Sequence, residues 1–210
     1  MENVHAGWRR KLMKYIADTV DFQLEEPTVV TLGKFDGRHR GHQKLLHTME
    51  ELKETLGYAT AIFTFSTAPL SLVTGEAATV ITTSEERRHN MEKMGIDYLV
   101  EYPFTDDVRK MDPSVFVKDI LVKRMRAKAM VVGPDCSFGY KGAGNVELLR
   151  SLSKELGFEL HVIQKEKDHR RDISSTYIRE ELSLGNVAKA NELLGEPYAI
   201  HGIVVHGNHI

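Results

Sequence analysis

The sequence predicts an α/β protein: a parallel five-stranded sheet with helices on both faces. Two observations lead there. Short β-branched, apolar runs alternate along the chain with stretches whose apolar residues recur at helical spacing. Gly, Pro, Asn or Asp punctuate most of the joins, and strand–helix–strand steps of this kind close as parallel crossovers.

The elements follow in order. "PTVVTLG" (27–33) is a short buried strand by its length and flanks. From Gly41 to Leu56, Leu45, Leu46, Met49, Leu52 and Leu56 form an apolar helical stripe, with Gly57 as C-cap. "YATAIFTF" (58–65) is the second strand. A helix spans 82–95, opening on a Thr83/Glu86 capping box and stopping at Gly95. "DYLVEY" (97–102) is the third strand, and Asp112 with Pro113 starts the next helix. "AKAMVVG" (127–133) and "FELHVI" (158–163) are strands four and five, separated by a helix that Asn145 caps and that runs to Leu156. Two short helices at 173–185 and 186–195 precede a β-like stretch at 198–207.

The 210 residues suffice for one full domain with tails. Residues 1–12 read as an N-terminal extension, 13–195 as the domain, and 196–210 as a tail with a β-like stretch. A net charge of −2 gives no bulk electrostatic case for nucleic-acid or membrane partners. No run approaches the roughly 18 apolar residues of a membrane-spanning helix. The single cysteine, Cys136, rules out an internal disulfide and fits a reducing, cytoplasmic setting.

In an open parallel sheet, ligands bind beyond the carboxyl ends of the strands. The stretch "TLGKFDGRHRGHQKLL" (31–46) lies at that rim. Gly33, Gly37 and Gly41 let backbone approach a ligand, and the helix that follows offers free N–H donors and a partial positive charge. His39 and His42 are three residues apart and can face the same point, while Lys34, Arg38 and Arg40 raise the local positive potential. The sum is a polyphosphate site. The competing reading is two solvated loop histidines beside a cap. The spacing matches neither a Walker A loop nor a Gly-x-Gly-x-x-Gly loop.

A second candidate is "ISSTYIR" (173–179). Ser174, Ser175 and Thr176 enter a helix, with Arg179 one turn in, a set suited to phosphate. Alone it reads as a capped surface helix; paired with the first loop it reads as a second phosphate contact. A third candidate is the glycine-rich "VVGPDCSFGYKGAGN" (131–145), which suits a nucleotide base packed on backbone, with Phe138 as an apolar wall; the alternative is a long flexible loop. No metal-ligand spacing is present, and no nucleophile with an adjacent base stands out.

Taken together, Gly-x-Phe-Asp-Gly-x-His-x-Gly-His, Val-Val-Gly-x-Asp-x-x-Phe-Gly and Ile-Ser-Ser-Thr-x-Ile-Arg resemble, in order and spacing, the FAD synthetase (FMN adenylyltransferase) module of bacterial bifunctional riboflavin kinase/FAD synthetases. "TTSEER" and "YPFT" are similar to that family as well, and the resemblance covers roughly 13–207. It implies a Rossmann-like nucleotidyltransferase fold, and transfer of AMP from ATP to FMN with Mg²⁺ carried by the ATP phosphates. His39, His42, Ser175 and Arg179 would act on those phosphates. Gly33, Lys34, Phe35 and Asp36 would line the nucleotide pocket, Val132, Gly133 and Asp135 would lie near adenosine, and Phe65 would face the flavin. The chain departs from the pattern in three places: Lys34 stands where Asn is common, Cys136 where an aromatic is usual, and the run Ser66–Pro69 where an acid and Pro-His-Pro are expected. "HGIVVHGNHI" resembles the first strand of the riboflavin kinase module, so kinase activity is expected only of a full-length parent. Two alternatives remain at this stage: an adenylyl- or cytidylyltransferase for another phosphorylated acceptor, and a catalytically weak nucleotide- or flavin-binding protein.

Overall fold

The computed structural model describes residues 12–66, 79–200 and 202–204. Six parallel strands form one sheet: β1 (Lys14–Ala17), β2 (Thr28–Leu32), β3 (Ala59–Phe65), β4 (Tyr98–Tyr102), β5 (Ala127–Val132) and β6 (Glu159–Val162), in the order β1-β4-β3-β2-β5-β6. The sheet thus has one strand more than the five expected. β1 escaped sequence reading because it is a four-residue edge strand with Lys14 and Tyr15 exposed, so it lacks the buried run that marks its neighbours.

The central strands are apolar throughout because both faces are covered. Val30, Phe63, Val100 and Met130 face one layer of the core, with Leu149 and Leu152 of α5 (Val146–Leu156) packed on it. Their neighbours Val29, Ile62, Leu99 and Val131 face the other, against Leu45, Leu46 and Met49 of α1 (Arg40–Leu56) and Met91 of α2 (Ser84–Lys93). That is the two-residue alternation of a strand read twice.

The capping box of α2 is present: the Thr83 hydroxyl accepts from Glu86 N–H at 3.2 Å, and the Glu86 carboxylate accepts from Thr83 N–H at 2.8 Å. A four-residue helix, α3 (Asp106–Arg109), was not anticipated. Asp112 caps α4 (Pro113–Val115), but the chain then widens into a π-helix over Phe116–Arg124, ending with Met125 N–H donating to Ile120 C=O. A small antiparallel hairpin, β7 (Lys167–Asp168) and β8 (Arg171–Asp172), links β6 to α6 (Ser175–Ser183), and α7 (Val187–Leu194) follows. The described residues within the β-like 198–207 stretch form no strand, and the remainder of it, like residues 1–11, lies outside the described residues.

Strands β4-β3-β2-β5-β6 have the order of a doubly wound sheet that lacks only its last strand. The chain reverses direction across the sheet between β2 and β5, and the crevice there is the natural ligand site. The loops after β2 and β5 both leave the sheet at that point.

Candidate active site

The β2–α1 loop is shaped by a few unusual positions. His39 is itself the N-cap of α1, and its Nδ1 accepts from the His42 backbone N–H at 3.3 Å. Gly41 makes this possible, because a Cβ there would lie 3.2 Å from His39 Nδ1. Gly37 has φ +71°, and a Cβ on it would meet Ile81 at 2.9 Å, so only glycine fits. Phe35 is a buried non-glycine residue at φ 49°. Its ring packs 4.8 Å from that of His42, which in turn stacks on His39 at 3.7 Å.

These contacts assign the imidazole protons. His39 Nδ1 accepts a hydrogen bond, so the neutral ring carries its proton on Nε2. His42 Nδ1 lies 2.9 Å from Gly37 C=O, so it must donate, which leaves Nε2 bare in the neutral ring. Burial, and next to it the neighbouring His42, pushes His39 down to about 3. Burial also lowers His42, partly opposed by the Gly37 carbonyl and by Asp36. Both are neutral near pH 7.

The second constellation reaches this loop directly. Ser174 caps α6, its hydroxyl accepting from Tyr177 N–H at 3.2 Å. Ser175 Oγ donates to Asp36 C=O at 2.6 Å, and Arg179 Nη1 donates to Asp36 Oδ2 at 2.6 Å. Arg179 Nη2 also reaches Thr176 Oγ1 at 3.4 Å. The other Asp36 oxygen accepts from the N–H groups of Ile81 and Thr82 at 2.7 and 3.0 Å. Asp36, 4% exposed, therefore joins three segments.

A cavity of about 540 Å³ opens beside the loop. Gly33, Lys34, Asp36, Phe65, Asp135 and Phe138 line it, with Phe63 and Phe116 in its apolar wall. Phe35 and Val132 are buried in the core instead, and Gly133 is not among the lining residues. Asp135 pairs with Lys165 at 2.8 Å, which holds the lysine above its ordinary range. Cys136 lines the cavity, but burial pushes its thiol up to about 12, so it is not a thiolate. Of the Ser66–Pro69 run, only Ser66 falls within the described residues; it too lines the cavity.

Arg87, the last residue of "TTSEER", is also in the lining, although sequence reasoning gave it no role. Its guanidinium pairs with buried Glu101, and Glu101 accepts from Tyr15 Oη at 2.7 Å. A glutamate inside the otherwise apolar run "DYLVEY" was the available signal, since a buried carboxylate requires a partner. Of the cations expected to raise the local positive potential, two are paired: Arg38 with Glu196, and Arg40 with Glu166 at 3.8 Å. Among the described residues, no group of three His, Cys, Asp or Glu side chains is placed to hold a metal ion. No helix among them is long and apolar enough to cross a membrane.

A parallel sheet whose switch point gathers two helix N-termini and a glycine-rich loop defines a Rossmann-like protein of nucleotidyltransferase architecture. Residues 21–177 match the model of the FAD synthetase family, and the chain belongs to that family. It is 35% identical over 187 residues to the bifunctional riboflavin kinase/FMN adenylyltransferase of Escherichia coli K12, covering 89% of this chain and 60% of the relative. It is 32% identical over 192 residues to the protein of that name from Listeria monocytogenes, with 90% and 60% covered. The chain thus spans about three-fifths of the length of these relatives. A crystal structure titled macrolide-efflux protein from Streptococcus pneumoniae superposes with TM-score 0.81 at 29% identity, covering 94% of this chain and 64% of that one. A pantoate-beta-alanine ligase from Francisella tularensis shares the fold, with TM-score 0.50 at 13% identity over 81% of this chain and 70% of that one.

Proposed function

We propose that residues 13–195 form an FMN adenylyltransferase domain, transferring AMP from ATP to FMN to give FAD and pyrophosphate. The observation that carries this is the junction at Asp36, where Ser175 and Arg179 of α6 meet the loop that bears His39 and His42. The starts of α1 and α6 then present their N–H donors to one region, which suits a triphosphate.

In the reaction a phosphate oxygen of FMN attacks the α-phosphorus of ATP. A new P–O bond forms, and the bond to the β-phosphate oxygen breaks with its electron pair leaving on pyrophosphate. The nucleophile needs no general base, because the second pKa of a phosphate monoester is about 6. Absence of an activated side-chain nucleophile is therefore no obstacle: the Cys136 thiol is held protonated and both histidines are neutral. What the chain must supply is placement and stabilisation of charge on the leaving group.

His39 Nε2–H is a neutral donor already aimed by its cap role. His42 donates from Nε2 only when protonated, so the anionic phosphates that approach it must raise its proton affinity. Arg179 holds Asp36 with one nitrogen and serves phosphate with what remains of its fork. Gly33, Gly41 and Thr176 border the phosphates through backbone and hydroxyl groups, while Ser174 acts as the α6 cap. A divalent cation, Mg²⁺, would enter on the ATP phosphates and offset their charge. The aromatic wall of Phe63, Phe65, Phe116 and Phe138 suits a flat heteroaromatic acceptor.

The test is incubation of the chain with FMN, ATP and Mg²⁺, following FAD and pyrophosphate. Equimolar appearance of both supports the reading. No FAD, or turnover only with a different phosphorylated acceptor, overturns it.

A further inference from the structure

The loop that carries His39 and His42 is held from its far side by the end of α7, about 150 residues later in the chain. Three contacts make the connection. The Gln43 side-chain amide donates one hydrogen to Arg38 C=O at 2.9 Å and the other to Leu194 C=O at 2.7 Å. Leu194 C=O belongs to the last turn of α7, where carbonyls have no helical partner, so Gln43 satisfies it. The Arg38 guanidinium grips both carboxylate oxygens of Glu196, Nε donating to Oε1 at 3.1 Å and Nη2 to Oε2. Gly195, in the left-handed region at φ +75°, lets the chain pass so close that a Cβ there would sit 3.3 Å from Gln43 Nε2.

Arg38 is thus fixed through both its carbonyl and its side chain, one residue before His39. Its charge is spent on Glu196, so its contribution to the site is geometric rather than electrostatic. We propose that Gln43 and Glu196 are positioning residues for the nucleotide loop, and that residues 194–196 are part of the nucleotide site although they touch no substrate. This rests on the adenylyltransferase reading for the identity of the nucleotide.

A partly exposed ion pair contributes little to global stability, whereas a small misplacement of a phosphate donor is costly in catalysis. The effect of losing the pair should therefore appear in ATP handling and not in folding. The experiment compares Glu196→Gln, Arg38→Gln, their double variant and Gln43→Met, the last keeping length while removing both donors. Expected for each single variant is roughly a tenfold rise in KM for ATP, with KM for FMN within about twofold; the melting temperature should be nearly unchanged for Glu196→Gln and Arg38→Gln, and lower by roughly a few degrees for Gln43→Met, which strips two carbonyls of their donor. The Glu196→Gln/Arg38→Gln double variant should be no worse than either single one, because one removes what the other needs. Nitrogen NMR should show the His42 Nδ1–H signature broadened or shifted in each variant. Three results each overturn the proposal: unchanged KM for ATP, additive effects in the double variant, or an equal rise in KM for FMN. Should the wild type form no FAD, the activity reading fails separately. Calorimetric titration with ATP alone and the His42 signal then decide the positioning role on the same criteria.

Discussion

Arg179 Nη1 sits 2.6 Å from Asp36 Oδ2, joining residues 143 apart in sequence. The same carboxylate holds the backbone of Ile81 and Thr82, so one buried side chain fixes the relation of the β2–α1 loop, the approach to α2, and the start of α6. Removing its charge should be felt in all three places. Asp36→Ala leaves two buried N–H groups and a guanidinium without their acceptor, and should cost about 3–5 kcal/mol in chemical denaturation. Asp36→Asn keeps an acceptor for the N–H pair and should cost less while still weakening ATP binding. A full-strength ATP site in Asp36→Asn would show that the ion pair does not set the position of Arg179.

The tautomer of His42 makes a prediction about protons. If phosphate must induce protonation at Nε2, ATP binding above pH 7 should take up close to one proton. Titration calorimetry in buffers of differing ionisation enthalpy reads this directly, and the uptake should vanish in His42→Gln. For His42→Ala, kcat should fall roughly 10²–10³-fold, comparable to loss of an oxyanion donor. A kcat within threefold of wild type would remove His42 from the reaction.

Both imidazoles also link stability to pH. Each is harder to protonate in the folded chain than at its ordinary value near 6.5, His39 down to about 3. Between those values the unfolded chain binds protons that the native state refuses. Stability is therefore full above pH 6.5 and falls as pH drops toward 3. Replacing both residues by Gln should flatten this part of the stability profile, as measured by denaturant midpoint against pH. An unchanged slope would mean that other groups dominate.

Lys34 differs from its neighbours. Arg38, Arg87 and Arg179 each engage a carboxylate, whereas Lys34 is exposed at the cavity. Lys34→Asn should weaken FMN more than riboflavin, which lacks the phosphate, by roughly three- to tenfold in relative affinity. Equal loss for both ligands would argue against a phosphate contact.

Much of this site was legible in one dimension. The glycines, the two histidines and the serine-rich helix start mark out a candidate anion site in sequence because their chemistry is local: caps, turns and helix N-termini act over three or four residues. The roles of individual members were less legible. Ser174 is spent on capping Tyr177 N–H, and Phe35 is buried against His42 rather than placed in the cavity. Both follow from packing that a list of residue types does not contain. Cavity residues such as Phe63 and Phe116 read in sequence only as core.

The sequence by itself determined the class of fold, the succession of strands β2 to β6 with the main helices between them, and the kinds of group at the rim, since hydrophobic period and capping chemistry are written in near neighbours. Only the tertiary structure decided which charges neutralise one another: Asp36 with Arg179, Arg38 with Glu196, Arg87 with Glu101. It also decided that Lys14–Ala17 completes the sheet as a sixth strand. Carboxylates and cations pair by proximity, and proximity between distant segments comes from the sheet order and the crossovers that link its strands, which no local pattern of residues specifies.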